Sequence, residues 1–369
     1  MTSLDFTSGT LSESLAAGMA LPATWYSDPT ILSHERDRIF AGAWQYLGRS
    51  EAVVEPGAFL AGRVGHVPVV AVRGKDGVLR GFKNVCRHRA HLVTDGEGCR
   101  STLQCPYHAW TYDLDGSLLR APRSEREPGF DPELYSLFPV SVATWGPLVF
   151  ANPDPDARPL SEHLEGIAES VESSGVGFET LRWRERVTWE LQANWKNGLE
   201  NYLECYHCAI AHPGLSKVVN VDPDTYTLIP RTYGSSQKSV VREGVREGKV
   251  KTSYVPSDEV RDPQYHLLFP GTTINIEPGV PNFGIDAWHP VAPGITAGVT
   301  DYYFGPDVTD EQVAELVEFS QQVGAEDDGL VRSVQAGLDS GVVPQGRLLL
   351  NAEPLIAHFQ RYVFDSLTG

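Results

Sequence analysis

Residues 84–112, NVCRHRAHLVTDGEGCRSTLQCPYHAWTY, hold two short pairs of metal-capable side chains, Cys86-x-His88 and Cys105-x-x-His108. A tight loop draws each pair together, and sixteen residues separate the two. Two thiolates and two imidazoles admit either tetrahedral zinc or a [2Fe–2S] cluster in which the histidines hold one iron. A zinc finger pairs Cys with Cys and His with His, whereas each loop here mixes the types. Two mixed loops facing each other place both cysteines on one iron and both histidines on the other. Histidine in place of two thiolates makes such a cluster less negative and raises its potential, so it can accept electrons and pass them on. Cys99 and His91 lie outside the pattern and read as packed or surface side chains.

A second concentration, ENYLECYHCAIAHP at 200–213, holds two carboxylates, two thiols and two histidines. A CxxC site through Cys205 and Cys208 is one reading. On the continuous helix expected from Asn194 or Trp195 to Pro213, however, the pair lacks the turn that presents both sulfurs, so the thiols read as bystanders. A zincin-like pair wants histidines four apart, and His207 and His212 are five apart, about 140° around an ideal helix. Pro213 offers a third reading, because it pushes His212 out of the helical region and lets that side chain swing back toward His207. Two histidines and one carboxylate with open positions is the donor set of a non-haem Fe(II) oxygenase.

The carboxylate has several candidates. A helix expected over 310–339 carries an apolar stripe of Val313, Leu316, Val317, Val323, Leu330, Val331, Val334 and Leu338. Asp327 points into that stripe, Asp328 lies at its edge and Glu326 points away. A buried carboxylate needs a cation or several donors. The plainer account is that Asp327 pairs with an arginine or caps a loop. Glu204, three residues before His207, is either the third ligand or the acceptor for the other N–H of His207. Glu200 reads as structural.

These groups must be positioned by two kinds of structure. From about 41 to 155, short apolar runs (Val67–Val72, Leu79–Phe82) alternate with turns (Gly74-Lys75-Asp76-Gly77, Asp113-Leu114-Asp115-Gly116), which means hairpins. ANPDPDARP at 151–159 marks a boundary. Beyond it come a helix at Leu160–Val176, strands at Arg184–Leu191, Thr272–Ile276, Gly284–Trp288 and Val299–Phe304, and helices over 310–339 and 351–367. Thr309 with Gln312 makes a capping box for the first of these. The fold class is therefore α+β, an all-β domain over 41–155 and, from 1–40 with 156–369, an antiparallel sheet packed by long helices.

Composition excludes other classes. The net charge of −18, with 30 Lys and Arg against 48 Asp and Glu, disfavours nucleic acid and suits a cationic ligand or a basic partner. Five cysteines are not a disulfide framework. No apolar run is long enough to span a membrane, and the first twenty residues lack a basic n-region, so the chain is expected to be cytoplasmic. No GxGxxG opens a βαβ unit, so NAD(P)H must act through a separate reductase.

CRHR and CPYHAWTYDLDG, together with NWK at 194–196, ENYLECYH at 200–207, His212 and EDDGLVRSVQAGL at 326–338, resemble the catalytic α subunit of Rieske non-haem iron oxygenases over essentially the whole chain. The resemblance implies a Rieske cluster on Cys86, His88, Cys105 and His108, and Fe(II) on His207, His212 and Asp327 in a helix-grip (START-like) domain. It also implies that Glu204 bridges to a Rieske histidine of a neighbouring subunit, so that electrons cross between chains of a head-to-tail homotrimer. Ala90 stands where most relatives have Gly. ECYHCAIAHPGL resembles the enzymes acting on glycine betaine, carnitine and related quaternary ammonium compounds, which implies monooxygenation by hydroxylation or N-demethylation. An aromatic cage for such a cation has candidates in Tyr206, Trp288, Tyr302, Tyr303 and Phe304. The competing expectations are hydroxylation or O-demethylation of an aromatic compound, a pure Rieske electron-transfer protein and a zinc-stabilised binding protein.

Overall fold

The structure, a computed structural model, describes residues 9–252 and 254–369. The chain forms two compact units, Phe40–Glu162 and a discontinuous one that runs up to Ile39 and resumes at His163–Gly369.

The Phe40–Glu162 unit is built from hairpins. β1 (Gln45–Arg49), β2 (Ala58–Val64), β3 (Val67–Arg73), β4 (Leu79–Lys83), β5 (Glu97–Cys99), β9 (Pro139–Trp145) and β10 (Leu148–Asn152) form one sheet in the order β1-β10-β9-β4-β3-β2-β5. β6 (Leu103–Gln104), β7 (Thr111–Tyr112) and β8 (Leu118–Arg120) make a small second sheet. Val69, Val70, Ala71 and Val72 are all fully buried, because β3 lies inside the sheet with apolar side chains packed on both faces. Asp113–Gly116 turns between β7 and β8, with Gly116 N–H bonded to Asp113 O at 3.0 Å.

The second unit carries a seven-stranded antiparallel sheet of β11 (Arg182–Leu191), β12 (Thr227–Arg231), β13 (Gly234–Lys238), β14 (Gln264–Leu268), β15 (Thr272–Ile276), β16 (Asn282–Ala292) and β17 (Ile295–Phe304), ordered β11-β17-β16-β15-β14-β13-β12. β11, opening the sequence of strands, closes against the last one, with Trp189 opposite Gly298. Gly298 also faces Trp288 across β16, and a Cβ there would stand 2.2 Å from the Trp189 ring and 2.6 Å from the Ala287 carbonyl, so the paired tryptophans require glycine. Strands β12–β14 were not read from the sequence. Their buried faces carry Ser235, Ser236, Gln237 and His266, which hide the apolar alternation.

α4 (Asp310–Asp339) begins at Thr309, whose hydroxyl accepts from Gln312 N–H while the Gln312 side chain accepts from Thr309 N–H. Val313, Leu316, Val317 and Phe319 of α4 pack with Tyr302 and Phe304 of β17, which sets the helix across the sheet. The C-terminal half departs from the expected stripe. Leu330 and Val334 are exposed, while Val331 and Gln335 are buried. Gln335 Oε1 accepts from Asn194 N–H (2.9 Å) and Asn197 Nδ2 (2.8 Å), so a polar residue holds the inward position. α5 (Pro354–Thr368) starts with Pro354 at its first turn, three residues after the expected start. The helix expected at Leu160–Val176 is interrupted at Gly166, which adopts φ +75°.

Candidate metal centres and active site

In the Phe40–Glu162 unit the two expected ligand loops are built alike. Cys86 N–H bonds the carbonyl of His91 (2.8 Å) and Cys105 N–H that of Trp110 (2.8 Å), while Ala90 and Ala109 donate back to the carbonyls of Cys86 (3.0 Å) and Cys105 (3.1 Å). Both alanines adopt φ +58°. Ala90, where the resemblance led to glycine, therefore occupies a left-handed conformation that costs an L-residue roughly 1–2 kcal/mol. Cys86 and Cys105 are buried and unpaired, and the His88 and His108 rings are exposed, 4.6 Å apart and inclined at 76°. Burial, and the Cys86 sulfur beside it, raise the Cys105 thiol above its ordinary range. Two buried sulfurs on one side and two solvent-facing imidazoles on the other fit a cluster with one iron on each pair. Tyr112 Oη lies 3.3 Å from Cys86 Sγ. His91 and Cys99 stay outside the group, both exposed.

In the larger unit, α2 (Trp195–Tyr202) is capped by Asn194, whose side chain accepts from Lys196 N–H at 3.0 Å. The NWK motif is an anchor. Lys196 pairs with Glu35 on α1 (Pro29–Arg38) with both side chains fully buried, and Trp195 Nε1 donates to Glu35 at 2.7 Å. Glu200 accepts from Tyr26 Oη (2.7 Å) and Gln360 Nε2 (3.0 Å), a structural role, and burial pushes its carboxyl up to about 7.

The helix expected to run on to Pro213 stops at Tyr202 and restarts as α3 (Cys208–Ala211). Glu204 causes the break, its carboxylate accepting from the N–H groups of Tyr206 and His207 and capping the second segment from outside. Cys205 and Cys208 therefore sit on a turn, with Cys208 N–H 3.3 Å from Cys205 O, and are joined by a disulfide. That corrects the expectation of two bystander thiols, which assumed a continuous helix. His212 caps α3 with φ −118° and ψ 71°, outside the helical region as Pro213 requires.

His207, His212 and Asp327 converge. His207 Nε2 lies 3.1 Å from His212 Nε2, and Asp327 Oδ1 lies 3.0 Å from His212 Nε2 and 3.4 Å from His207 Nε2. Their candidate ligand atoms all fall within 4.8 Å of one another. Asp327 Oδ1 is buried without a well-aligned hydrogen bond. Adjacent ligands of one ion with bonds of about 2.1 Å stand about 3 Å apart, so the donor set and the spacing fit a single metal ion. Behind the histidines stand two further carboxylates. Glu204 holds Nδ1 of His207, and Glu326 Oε2 lies 2.8 Å from Nδ1 of His212. Glu326 was expected to point away; it stays off the buried face of Val331 and Gln335, partly exposed, and its long side chain reaches His212. Asp328 pairs with Arg332 at 2.7 Å, away from the two histidines. Burial opposes charge throughout the group, yet Asp327 and Glu204 raise His207 to about 9, and the two histidines hold Asp327 at about 2. The site is made for positive charge.

The three residues face a cavity of about 550 Å³. Trp189, Tyr202, Tyr226, Tyr265, Trp288 and Tyr302 line it, as do Glu277 and Asp286. Of the aromatic residues proposed for a cage, Trp288 and Tyr302 line the cavity. Tyr206 is 65 % exposed, and Tyr303 and Phe304 are buried in packing. Adjacent strand residues face opposite sides, so Tyr302 and Tyr303 cannot both reach the cavity. Tyr226, Tyr265, Glu277 and Asp286 escaped the sequence analysis because no motif surrounds them: Tyr265 lies on a strand that was not read, Tyr226 and Glu277 flank strands, and Asp286 is a single acid on β16.

A β unit with a two-cysteine, two-histidine site and an α+β unit with a two-histidine, one-carboxylate site define an oxidoreductase that moves electrons from a cluster to a mononuclear metal. Residues 43–143 match the Rieske [2Fe-2S] domain, and residues 178–369 match the ring hydroxylating alpha subunit (catalytic domain). The chain is 34% identical over 353 residues to the carnitine monooxygenase oxygenase subunit of Acinetobacter baumannii, covering 93% of each. It is 30% identical over 367 residues to the chloroplastic choline monooxygenase of Spinacia oleracea, covering 94% of this chain and 78% of that one. Among solved structures, a quaternary ammonium Rieske monooxygenase in complex with L-carnitine superposes with a TM-score of 0.79 at 31% identity, covering 94% of this chain and 95% of the other. Naphthalene 1,2-dioxygenase from Rhodococcus shares the fold with a TM-score of 0.79 at 20% identity. The chain belongs to the Rieske oxygenases, as an oxygenase α subunit. It is an enzyme that uses a Rieske [2Fe–2S] cluster and mononuclear iron, with O2, a small-molecule substrate and electrons from a separate reductase. No helix among the described residues is long and apolar enough to cross a membrane.

Proposed function

We propose that this chain hydroxylates a C–H bond next to the nitrogen of a quaternary ammonium compound, releasing aldehyde and amine as the C–N bond breaks. The observation that carries the reading is the His207, His212 and Asp327 group opening onto an aromatic cavity whose charged lining is mostly acidic. The similarity to oxygenases named for carnitine and choline supports it. Iron bound there would supply the activation of O2. The residues do the rest. Cys86, His88, Cys105 and His108 hold the cluster in the domain spanning 41–155, while His207, His212 and Asp327 hold iron in the domain made by 1–40 and 156–369. Glu204 and Glu326 fix the tautomer and orientation of the two histidines. Tyr202, Trp189 and Trp288 wall the substrate against water.

Glu204 also serves as the electron bridge to His108 of a neighbouring chain in a homotrimer. Exposed Tyr206, Ile210, Leu330 and Val334, on the segments that carry the iron ligands, are apolar surface of the kind that assembly covers. We read the protein as cytoplasmic, where NAD(P)H supplies the reductase.

The test is turnover of the purified chain with a surrogate reductase and NADH or NADPH, following O2 uptake, released amine and aldehyde over choline, glycine betaine, L-carnitine and benzoate. Aldehyde and amine in step with O2 uptake on an ammonium compound are the expected result, formaldehyde if an N-methyl carbon is attacked and a larger aldehyde with trimethylamine if the chain carbon is. Coupled uptake on benzoate alone would overturn it.

A further inference from the structure

The buried carboxylates of the larger unit are compensated in different ways. Glu35 has Lys196 and Trp195, Asp301 has Arg186 and Trp183, and Asp286 has the hydroxyls of Thr273 and Thr300 and the amide of Asn275. Glu277, just past β15, is different. It is 8 % exposed, and among the described residues its carboxylate accepts one hydrogen bond, from Tyr265 Oη at 3.0 Å. Asn282 satisfies its backbone, so the residue is held in place with its charge uncompensated. No basic side chain pairs with it among the described residues. An ionised carboxylate out of water without a cation is costly, and the side chain lines the cavity that His207, His212 and Asp327 face.

The rest of the lining repeats the preference. Tyr226, Glu277 and Glu204 line the same cavity. Arg332 is the one arginine or lysine lining the cavity among the described residues, and Asp328 already holds it through two contacts, at 3.0 and 2.7 Å. Aromatic faces with a carboxylate and no free cation recognise an alkylated ammonium group, by cation–π attraction and by direct charge pairing.

Resting on the quaternary-ammonium reading above, we propose that Glu277 is the counter-ion of the substrate's positively charged nitrogen and sets the enzyme's preference for a cation over a neutral molecule of the same shape. Tyr226 and Tyr265 flank the ammonium group, and Glu277 supplies the missing charge.

The test uses the holoenzyme under anaerobic conditions, titrated calorimetrically with choline, glycine betaine and L-carnitine, and with 3,3-dimethylbutan-1-ol, the uncharged carbon isostere of choline. The wild type should bind at least one ammonium compound at least tenfold more tightly than the isostere; equal binding overturns the proposal whatever the variants do. Comparing the three cations tells whether an alcohol or a carboxylate completes the substrate. E277Q keeps the size and the Tyr265 partner, and should weaken cation binding about tenfold or more while leaving the isostere within twofold. E277D, which keeps the charge, should recover part of the loss. An intact cluster spectrum with equal affinity losses for cation and isostere would make Glu277 structural and overturn the proposal. Turnover and tight binding of an ammonium compound with no effect of E277Q would sink the counter-ion alone. A wild type that binds none of the three cations would sink both the counter-ion and the substrate reading.

Discussion

The two metal centres are built on opposite plans. The proposed cluster site is local: twenty-three residues, 86–108, carry all four candidate ligands, backbone hydrogen bonds shape both loops identically, and the imidazoles lie at the surface. The mononuclear site is assembled from afar. His207 and His212 meet a carboxylate from a helix more than a hundred residues later, and its orientation depends on Glu204, Glu326 and the buried Glu35–Lys196 pair beneath α2. A local site depends on loop backbone, whereas an assembled one depends on tertiary anchors and on carboxylates behind its ligands.

Substitutions should separate these dependences. K196A leaves Glu35 as an unpaired buried charge under α2 and should cost about 3–5 kcal/mol, measured by chemical unfolding, with the mononuclear iron lost more readily than the cluster. E326Q removes the charge behind His212 and should lower iron affinity or turnover about 10–100-fold, read by metal titration, with no change in the cluster's absorption. Substrate binding adds a third test within the assembled site. Burial pushes Glu277 up to about 7, offset in part by Tyr265. The groups facing it are Tyr202, Tyr226, Tyr254, Tyr265 and Tyr302, all kept neutral because burial raises them. The carboxylate is the form that binds a cation, so affinity should rise with pH through 7, about tenfold between pH 6 and 8, and the profile of E277Q should be flat. The smallest effect belongs to the local site. A90G relieves a left-handed alanine but adds freedom to the unfolded chain, so the net gain should be about 1 kcal/mol or less, seen as a small rise in the cluster-bleaching temperature.

The same contrast decides what the sequence disclosed. The two Cys–His loops could be read directly because loop spacing is itself the geometry. Helix 310–339 was legible through its Thr309–Gln312 cap, and Asp327 through its helical face. Glu326 was not, because it sits off the apolar face and only its long side chain brings the carboxylate to His212. The break after Tyr202 carries no Gly or Pro, since Glu204 makes it with a side chain, and the Cys205–Cys208 pairing was hidden with it. Glu277 has no motif at all. Its significance comes from what does not stand next to it, which only the packed structure can tell.

The central claim is that one chain holds two independent centres joined in function through His207, His212 and Asp327. The most direct measurement is iron and acid-labile sulfide analysis of wild type and D327A, with O2 uptake on each. The account predicts that D327A loses one iron per chain and all substrate-dependent O2 uptake, while sulfide and the cluster's absorption stay unchanged. Retention of that iron with coupled turnover would contradict it and move the ligand away from Asp327.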